Sequence, residues 1–167
     1  NLYAALAEAA YLTGIERNSD LVRMACYAPL LARQGYDHWT PNLLWFNADA
    51  VLKTPSYHVQ RMFSSTLGQQ VLHSSLDAPG CYHVASRDGV MVYIKLVNPR
   101  DSPLSLSLTV KGLENAVASM QVLAGQPHQT NTFANPDTLL PVFSAVHLRG
   151  GLAQLELPAW SVCVVSL

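Results

Sequence analysis

Acidic and histidine side chains are the groups in this chain that could carry acid–base or metal chemistry. Its 167 residues include 11 Asp and Glu and six His. Zinc ligands in proteins stand at short, recognisable spacings, and none of these histidines is so placed. The acidic residues are scattered too, each explained by a helix, a helix cap, a turn or the outer face of a strand. The sequence predicts no metal site, no catalytic residue within the chain and no cofactor.

Composition and motifs exclude several classes of protein. The net charge is -1, from 10 basic and 11 acidic residues, so nothing favours binding to nucleic acid or an anionic membrane. No run approaches the roughly 20 apolar residues that cross a bilayer. Phosphate-binding loops, dinucleotide-binding glycine patterns and the G-x-S-x-G elbow of hydrolases are absent. Cys26, Cys81 and Cys163 are odd in number and widely spaced, which predicts small buried side chains and no disulfide.

Two tryptophans allow two interpretations. Trp39 and Trp45 stand in the stretch HWTPNLLWF, and indole rings bury a large area, so both could lie in a core or a domain interface. Alternatively, one of them lines a sugar-binding cleft, because the apolar face of a sugar ring stacks on aromatic rings. The residue types alone favour the first interpretation.

The first 65 residues show helical and strand patterns in alternation. Apolar residues at helical spacing predict an opening helix that ends at Gly14. A short second helix is predicted over residues 20–25, then two short strands at residues 30–31 and 42–46. Thr54 and Pro55 predict the start of a third helix, which ends before Gly68.

Beyond Gly68 the hydrophobic period changes from helical to two. Several short strands follow, separated by turn residues, and Arg87 to Gly89 form the turn of a predicted hairpin. Leucine alternates with serine in LSLSLTV, which indicates one buried and one solvated face. The fold class is therefore mainly β with a helical N-terminal part. The β region is an antiparallel sandwich or barrel, and the boundary lies near residues 65–68.

Several blocks of the sequence together resemble one enzyme family. AEAAYLTGIERNSDLVRMACYAPLLA, HWTPNLLWFN and TPSYHVQRMFS resemble the end of the catalytic domain of glycoside hydrolase family 51, the α-L-arabinofuranosidases. NTFANPDTLLPV and LELPAWSVCVVSL resemble that family's C-terminal domain. The resemblance implies that residues 1–65 are the terminal segment of a (β/α)8 catalytic barrel. It also implies that residues 66–167 are a C-terminal β-sandwich of jelly-roll type.

The same resemblance implies an enzyme that removes terminal non-reducing α-L-arabinofuranosyl residues with retention of configuration. Such enzymes use two carboxyl groups about 5 Å apart, and the motifs that carry them are absent here; Glu8 and Glu16 match helix positions of the family. We therefore expect a C-terminal portion that is inactive alone. Trp39 and Asn42 are implied to line the arabinose subsite of the complete enzyme. Its implied partners are arabinofuranosyl saccharides, the rest of the barrel and further copies of itself.

An alternative function is an independent carbohydrate-binding or assembly module. The predicted strands show no row of exposed aromatic residues of the kind that binds sugars, since Tyr82, Tyr93 and Trp160 are dispersed. Part of a barrel would, however, expose apolar surface, which partners tend to cover. The sequence predicts neither the cellular compartment nor the natural polysaccharide substrate.

Overall fold

The computed structural model describes residues 1–167 as two helices and eleven strands. Neither helix is long and apolar enough to cross a membrane. The elements in chain order are α1 (Leu2–Arg17), β1 (Leu31–Arg33), β2 (Leu44–Phe46), β3 (Val51–Lys53), α2 (Pro55–Ser64), β4 (Gln70–Val71), β5 (Tyr82–Asp88), β6 (Met91–Asn98), β7 (Leu104–Thr109), β8 (Asn115–Ala124), β9 (Val142–Arg149), β10 (Leu152–Leu157) and β11 (Ser161–Ser166).

Eight strands form one antiparallel sheet in the order β4-β5-β6-β11-β8-β9-β10-β7. The last strand of the chain, β11, lies in the middle, paired with β6 and β8. The sheet curls so that strands distant in this order face each other: Leu96 of β6 and Leu106 of β7 line the same small apolar cavity. The predicted antiparallel β-domain is confirmed.

The concave face of the curl encloses one of two hydrophobic cores. Alternate residues of each strand point into it, as the period of two requires; in β7 the leucines are half-buried and the serines exposed, as predicted. The buried members are Ala85, Ile94, Leu96, Ala118, Val146, Leu148, Ala153, Leu155, Leu157, Cys163 and Val165.

The convex face of the central strands is covered by the two helices. Leu2, Ala5, Leu6 and Ala9 follow the predicted helical spacing and are buried, and α1 packs on both α2 and the sheet. The second core comprises Leu2, Ala5, Leu6, Ala9, Val59, Met62, Phe63, Val97, Leu123, Leu139, Val162 and Val164. The N-terminal helices and the sheet therefore share one packed interior.

Helix α2 and the β5–β6 hairpin agree with the sequence predictions. Thr54 caps α2, its hydroxyl accepting a hydrogen bond from the Tyr57 N–H at 3.3 Å, and Pro55 is the first helical residue. The hairpin turns at Gly89, whose φ of 57° favours glycine.

Three local predictions are wrong. Helix α1 does not end at Gly14 but continues to Arg17, because Glu16, beyond Gly14, is still buried against the sheet. The helix predicted over residues 20–25 is absent, since Asn18 caps the end of α1 rather than the start of a new helix. Cys26 is exposed, whereas Cys163 is buried and Cys81 half-buried; all three are free thiols.

A buried ion pair joins α1 to the sheet. The Nζ atom of Lys95 on β6 lies 2.5 Å from Oε2 of Glu16, and the Ser86 hydroxyl on β5 donates to Oε1 at 2.6 Å. Lys95 is fully buried, with Nζ 5.1 Å from the centre of the Phe63 ring. Burial lowers the pKa of Lys95, and the hydrogen bond and charge of Glu16 oppose that change. Glu16 thus neutralises a cation that has no access to water.

Removing the carboxylate should destabilise the fold more than removing the whole pair. Glu16→Gln leaves the Lys95 ammonium buried without a counter-charge, which costs about 3–5 kcal/mol. The double variant Glu16→Gln/Lys95→Met should recover most of that loss. Urea unfolding of both variants measures the difference, and a loss below about 1 kcal/mol for Glu16→Gln would contradict this role.

Candidate functional site

A cleft of about 270 Å³ opens between β1 and the loop that joins it to β2. β1 and β2 are parallel, with Leu31 opposite Leu44, and β3 pairs antiparallel to β2. The cleft is lined by Pro29, Leu31, Ala32, Arg33, Tyr36, Asp37, His38, Trp39 and Asn42. Its lining combines aromatic rings with a guanidinium group, a carboxylate and an amide, a set able to stack on and hydrogen-bond a polyhydroxylated ligand.

The structure brings the two predicted site residues together in this cleft. Trp39 is 65% exposed, so it is not a core residue of this chain, while Asn42 is only 5% exposed. The Asn42 side-chain amide donates a hydrogen bond to the Trp39 carbonyl. Asn42 therefore holds the backbone of the loop that presents the indole ring. Trp45, the other ambiguous tryptophan, is half-buried on β2.

Arg33 and Tyr36 belong to the same cleft and were missed by sequence reasoning. The guanidinium carbon of Arg33 lies 4.5 Å from the centre of the Tyr36 ring, within cation–π distance. The available signal was the density of aromatic and polar residues in RQGYDHW, which indicates a loop but not which side chains converge.

Backbone and side-chain hydrogen bonds fix both ends of the loop. At its start, the Gln34 N–H donates to the Phe46 carbonyl at 2.8 Å, and the Asn47 amide donates to Gln34 Oε1 at 3.1 Å. The Tyr36 N–H donates to the Arg33 carbonyl at 3.0 Å, closing a turn. Together with the Asn42 contact, these bonds fix the shape of the cleft.

The segment preceding the cleft has an unpaired backbone. Residues 23–28 form neither helix nor strand and make no backbone hydrogen bond. Apolar side chains in and just before this segment face solvent, with Met24 86% and Leu21 79% exposed. The backbone N–H and C=O groups of this segment are therefore available to pair with a further strand.

Tyr27 anchors that segment to both helices through Glu8. Glu8 Oε1 accepts hydrogen bonds from the Ser56 hydroxyl at 2.9 Å and from the Tyr27 hydroxyl at 3.3 Å. Glu8 Oε2 is buried without a partner. Burial raises the pKa of Glu8, and the hydrogen bonds from Ser56 and Tyr27 offset this only in part. Burial and the Glu8 charge likewise raise the pKa of Tyr27.

No other cluster in the chain resembles a catalytic or metal site. No group of three or more His, Cys, Asp and Glu residues lies close enough to hold a metal ion. His58 is buried beside Lys53 and Arg61; burial first, and then these cations, lower its pKa. Burial raises the pKa of the Cys163 thiol to about 12. Asp37 is the only acidic residue lining the cleft, so the cleft contains no carboxylate pair.

Comparison with known proteins identifies the family. Residues 1–161 match the family model described as the α-L-arabinofuranosidase C-terminal domain. The chain belongs to this family. We predicted from several separate blocks of the sequence that the chain belongs to the α-L-arabinofuranosidases, and this prediction is confirmed.

This α-L-arabinofuranosidase C-terminal domain spans about a quarter of the relatives it matches. It is 35% identical to a probable α-L-arabinofuranosidase A of Aspergillus terreus and 34% identical to α-L-arabinofuranosidase A of Aspergillus niger. Each match covers 99% of this chain and 27% of the relative. The structure of an arabinose-bound α-L-arabinofuranosidase of family 51 superposes with a TM-score of 0.93 at 32% identity, covering 99% of this chain and 27% of that one. The chain corresponds to the C-terminal part of these enzymes.

The raised pKa of Glu8 predicts a pH-dependent effect of Glu8→Gln. The folded protein binds this proton more tightly than the unfolded chain, so Glu8 stabilises the fold below its ordinary pKa of 4.5. That contribution is lost as the pH rises through the raised value. The unfolding free energy of wild type minus that of Glu8→Gln should therefore be larger at pH 4 than at pH 7. Urea unfolding of both proteins at both pH values measures these free energies. A smaller difference between wild type and Glu8→Gln at pH 4 than at pH 7 would contradict the raised pKa of Glu8.

Proposed function

We propose that this chain is the C-terminal part of an α-L-arabinofuranosidase and is inactive alone. The complete enzyme hydrolyses terminal non-reducing α-L-arabinofuranosyl residues of arabinose-containing polysaccharides, with retention of configuration. The observation that carries the proposal is the unpaired segment of residues 23–28, in a chain that covers 27% of its relatives.

The acidic residues of the chain support its being inactive alone. A retaining glycosidase needs two carboxyl groups about 5 Å apart on either side of the scissile bond. Glu16 is engaged with Lys95 and Ser86, and Glu8 with Ser56 and Tyr27. Glu16 is buried and Glu8 half-buried, and both carboxylates hold the helices to their neighbours, which supports our placing the two catalytic groups in the rest of the enzyme.

The rest of the barrel is the partner that we propose for the unpaired segment. Backbone N–H and C=O groups that make no hydrogen bond in one chain are available to a strand from another part of the enzyme. The exposed Leu21 and Met24 would be covered in the same step, which buries apolar surface. Residues 23–28 would then become an inner strand of the barrel.

The domain division is part of this proposal. Residues 1–65 are the terminal segment of a (β/α)8 barrel, and residues 66–167 are the C-terminal β-domain. The parallel pair β1–β2, which lies between α1 and α2 along the chain, supports the first assignment, because the strands of a (β/α)8 barrel are parallel. The core that α1 and α2 share with the sheet joins the two parts rigidly.

Trp39 and Asn42 line the arabinose subsite in this proposal. The exposed indole ring offers an apolar face for stacking on a sugar ring. Asn42 positions that ring through the Trp39 carbonyl and has further hydrogen-bonding capacity for a hydroxyl group. Both residues stand at the carboxyl end of β1, the side of a (β/α)8 barrel on which active sites form.

Self-association of the complete enzyme also belongs to the proposal. The outer face of β8 and β9 is not covered by the helices and exposes Val117 and Phe143 to solvent. We propose that these two side chains contribute apolar surface to a contact between copies of the enzyme. Sedimentation analysis of the complete enzyme measures its oligomeric state, and a monomer at micromolar concentration would contradict self-association.

A chimera with the Aspergillus niger enzyme tests the proposal. This chain replaces the C-terminal 27% of that enzyme, and hydrolysis of 4-nitrophenyl α-L-arabinofuranoside is measured beside the 167-residue chain alone. We expect turnover by the chimera only, and NMR should show retention of the anomeric configuration. The same enzyme truncated without a replacement is the control and should be inactive.

Two outcomes would overturn the proposal. Turnover by the 167-residue chain alone would mean that its own carboxyl groups catalyse the reaction. A folded but inactive chimera, together with binding of arabinan by the isolated chain, would favour the alternative of an independent carbohydrate-binding module.

A further inference from the structure

The fold brings two aromatic residues from opposite ends of the chain together at the surface. The ring centres of Tyr3 on α1 and Trp160 are 6.2 Å apart, and the ring planes meet at 62°. This is an edge-to-face arrangement, which aromatic pairs favour. Tyr3 is 58% exposed, whereas Trp160 is half-buried against the core that α1 shares with the sheet. The pair therefore presents one exposed ring on a packed base.

Hydrogen bonds hold the turn that carries Trp160 between β10 and β11. Trp160 has a φ of 49°, a left-handed conformation that bulky residues seldom adopt. Its N–H donates to the Arg100 carbonyl at 2.9 Å. The Pro158 carbonyl accepts hydrogen bonds from the Ser161 hydroxyl at 2.7 Å and from the buried Asn98 amide at 2.9 Å. Strained conformations of this kind persist where their surroundings fix them, and they cluster at sites that bind ligands.

Polar residues of the loop after β8 border the Tyr3 ring. The Tyr3 N–H donates to the Pro127 carbonyl at 2.9 Å, and the Leu2 N–H donates to a carbonyl two residues further along this loop. His128 and Gln129 are exposed on it. Imidazole and amide groups exchange hydrogen bonds with hydroxyl groups. An exposed ring bordered by such groups offers a saccharide both a stacking face and hydrogen-bond partners.

We propose that Tyr3 and Trp160 form a saccharide-binding site on the surface of this domain, at which the Tyr3 ring stacks on one sugar of a polysaccharide chain. Trp160 is the positioning residue that fixes the Tyr3 ring from its edge. This inference rests on the proposed function, which supplies the ligand, an arabinose-containing polysaccharide. The site would hold the enzyme on the polymer, a role that neither the family match nor the cleft of residues 29–42 assigns to this domain.

Binding of linear α-1,5-arabinan by the 167-residue chain tests the inference without turnover. The chain carries Trp39→Ala, which removes the exposed indole ring of the cleft, and affinity electrophoresis in gels containing arabinan gives the Kd. We expect this chain to be retarded. Adding Tyr3→Ala should raise the Kd about fivefold, in line with the loss of one stacking contact, whereas Tyr3→Phe should retain most of the binding.

Tyr11→Ala is the matched control, because Tyr11 is an exposed tyrosine two turns further along α1. It should leave the Kd unchanged. In the chimera with the Aspergillus niger enzyme, Tyr3→Ala should raise the KM for arabinan about fivefold. It should leave the turnover of 4-nitrophenyl α-L-arabinofuranoside unchanged, because this substrate has no second sugar to bind.

Two results would overturn the inference. The first is a Trp39→Ala chain that arabinan does not retard. The second is a Tyr3→Ala variant that binds arabinan as tightly as its parent, which would mean that the exposed ring has no ligand there. Failure of the proposed function is distinguishable, since the unsubstituted chimera would then not hydrolyse 4-nitrophenyl α-L-arabinofuranoside, whatever the chain alone binds.

Discussion

A lysine ammonium buried in the middle of the structure constrains much of the fold. Lys95 projects from the convex face of the sheet, where no water reaches it, and an uncompensated buried cation would cost several kcal/mol. Glu16, near the end of α1, supplies the counter-charge, and Ser86 holds the same carboxylate from the next strand. Because Glu16 must lie there, α1 crosses the central strands, and its apolar stripe packs on Val97, Val162 and Val164. The ion pair thus sets the register between the helical part and the sheet.

The two sides of the helical part differ in how completely they are covered. Toward the sheet, α1 and α2 bury a continuous apolar core. On the other side lie the unpaired residues 23–28, the short parallel pair and the cleft with its exposed aromatic rings. Tyr27, through Glu8 and Ser56, is the side-chain anchor that links the two sides. The well-packed side therefore acts as a rigid base, and the open side is the one suited to meet the rest of an enzyme and its substrate.

Sequence reasoning succeeded where structure depends on neighbouring residues. The Thr54–Pro55 start of α2, the hairpin at Gly89 and the alternating strands all follow from local signals. It failed where the structure depends on residues that are far apart in the sequence. The sequence pattern places Glu16 on a helix but does not indicate its partner Lys95, which is 79 residues away. Residues 20–25 have helical character but no surface in this chain to pack against. Trp39 and Asn42 came from the family resemblance, and Tyr36 with Arg33 emerged only when the loop geometry brought them together.

Amide hydrogen exchange of residues 23–28 tests the central claim most directly. In the 167-residue chain these amides make no hydrogen bond and should exchange at nearly the rate of an unstructured peptide. In the active chimera with the Aspergillus niger enzyme they should be slowed by about a hundredfold or more, as for a paired inner strand. Rapid exchange of these amides in an active chimera would contradict the account, because the segment would then have no partner in the working enzyme.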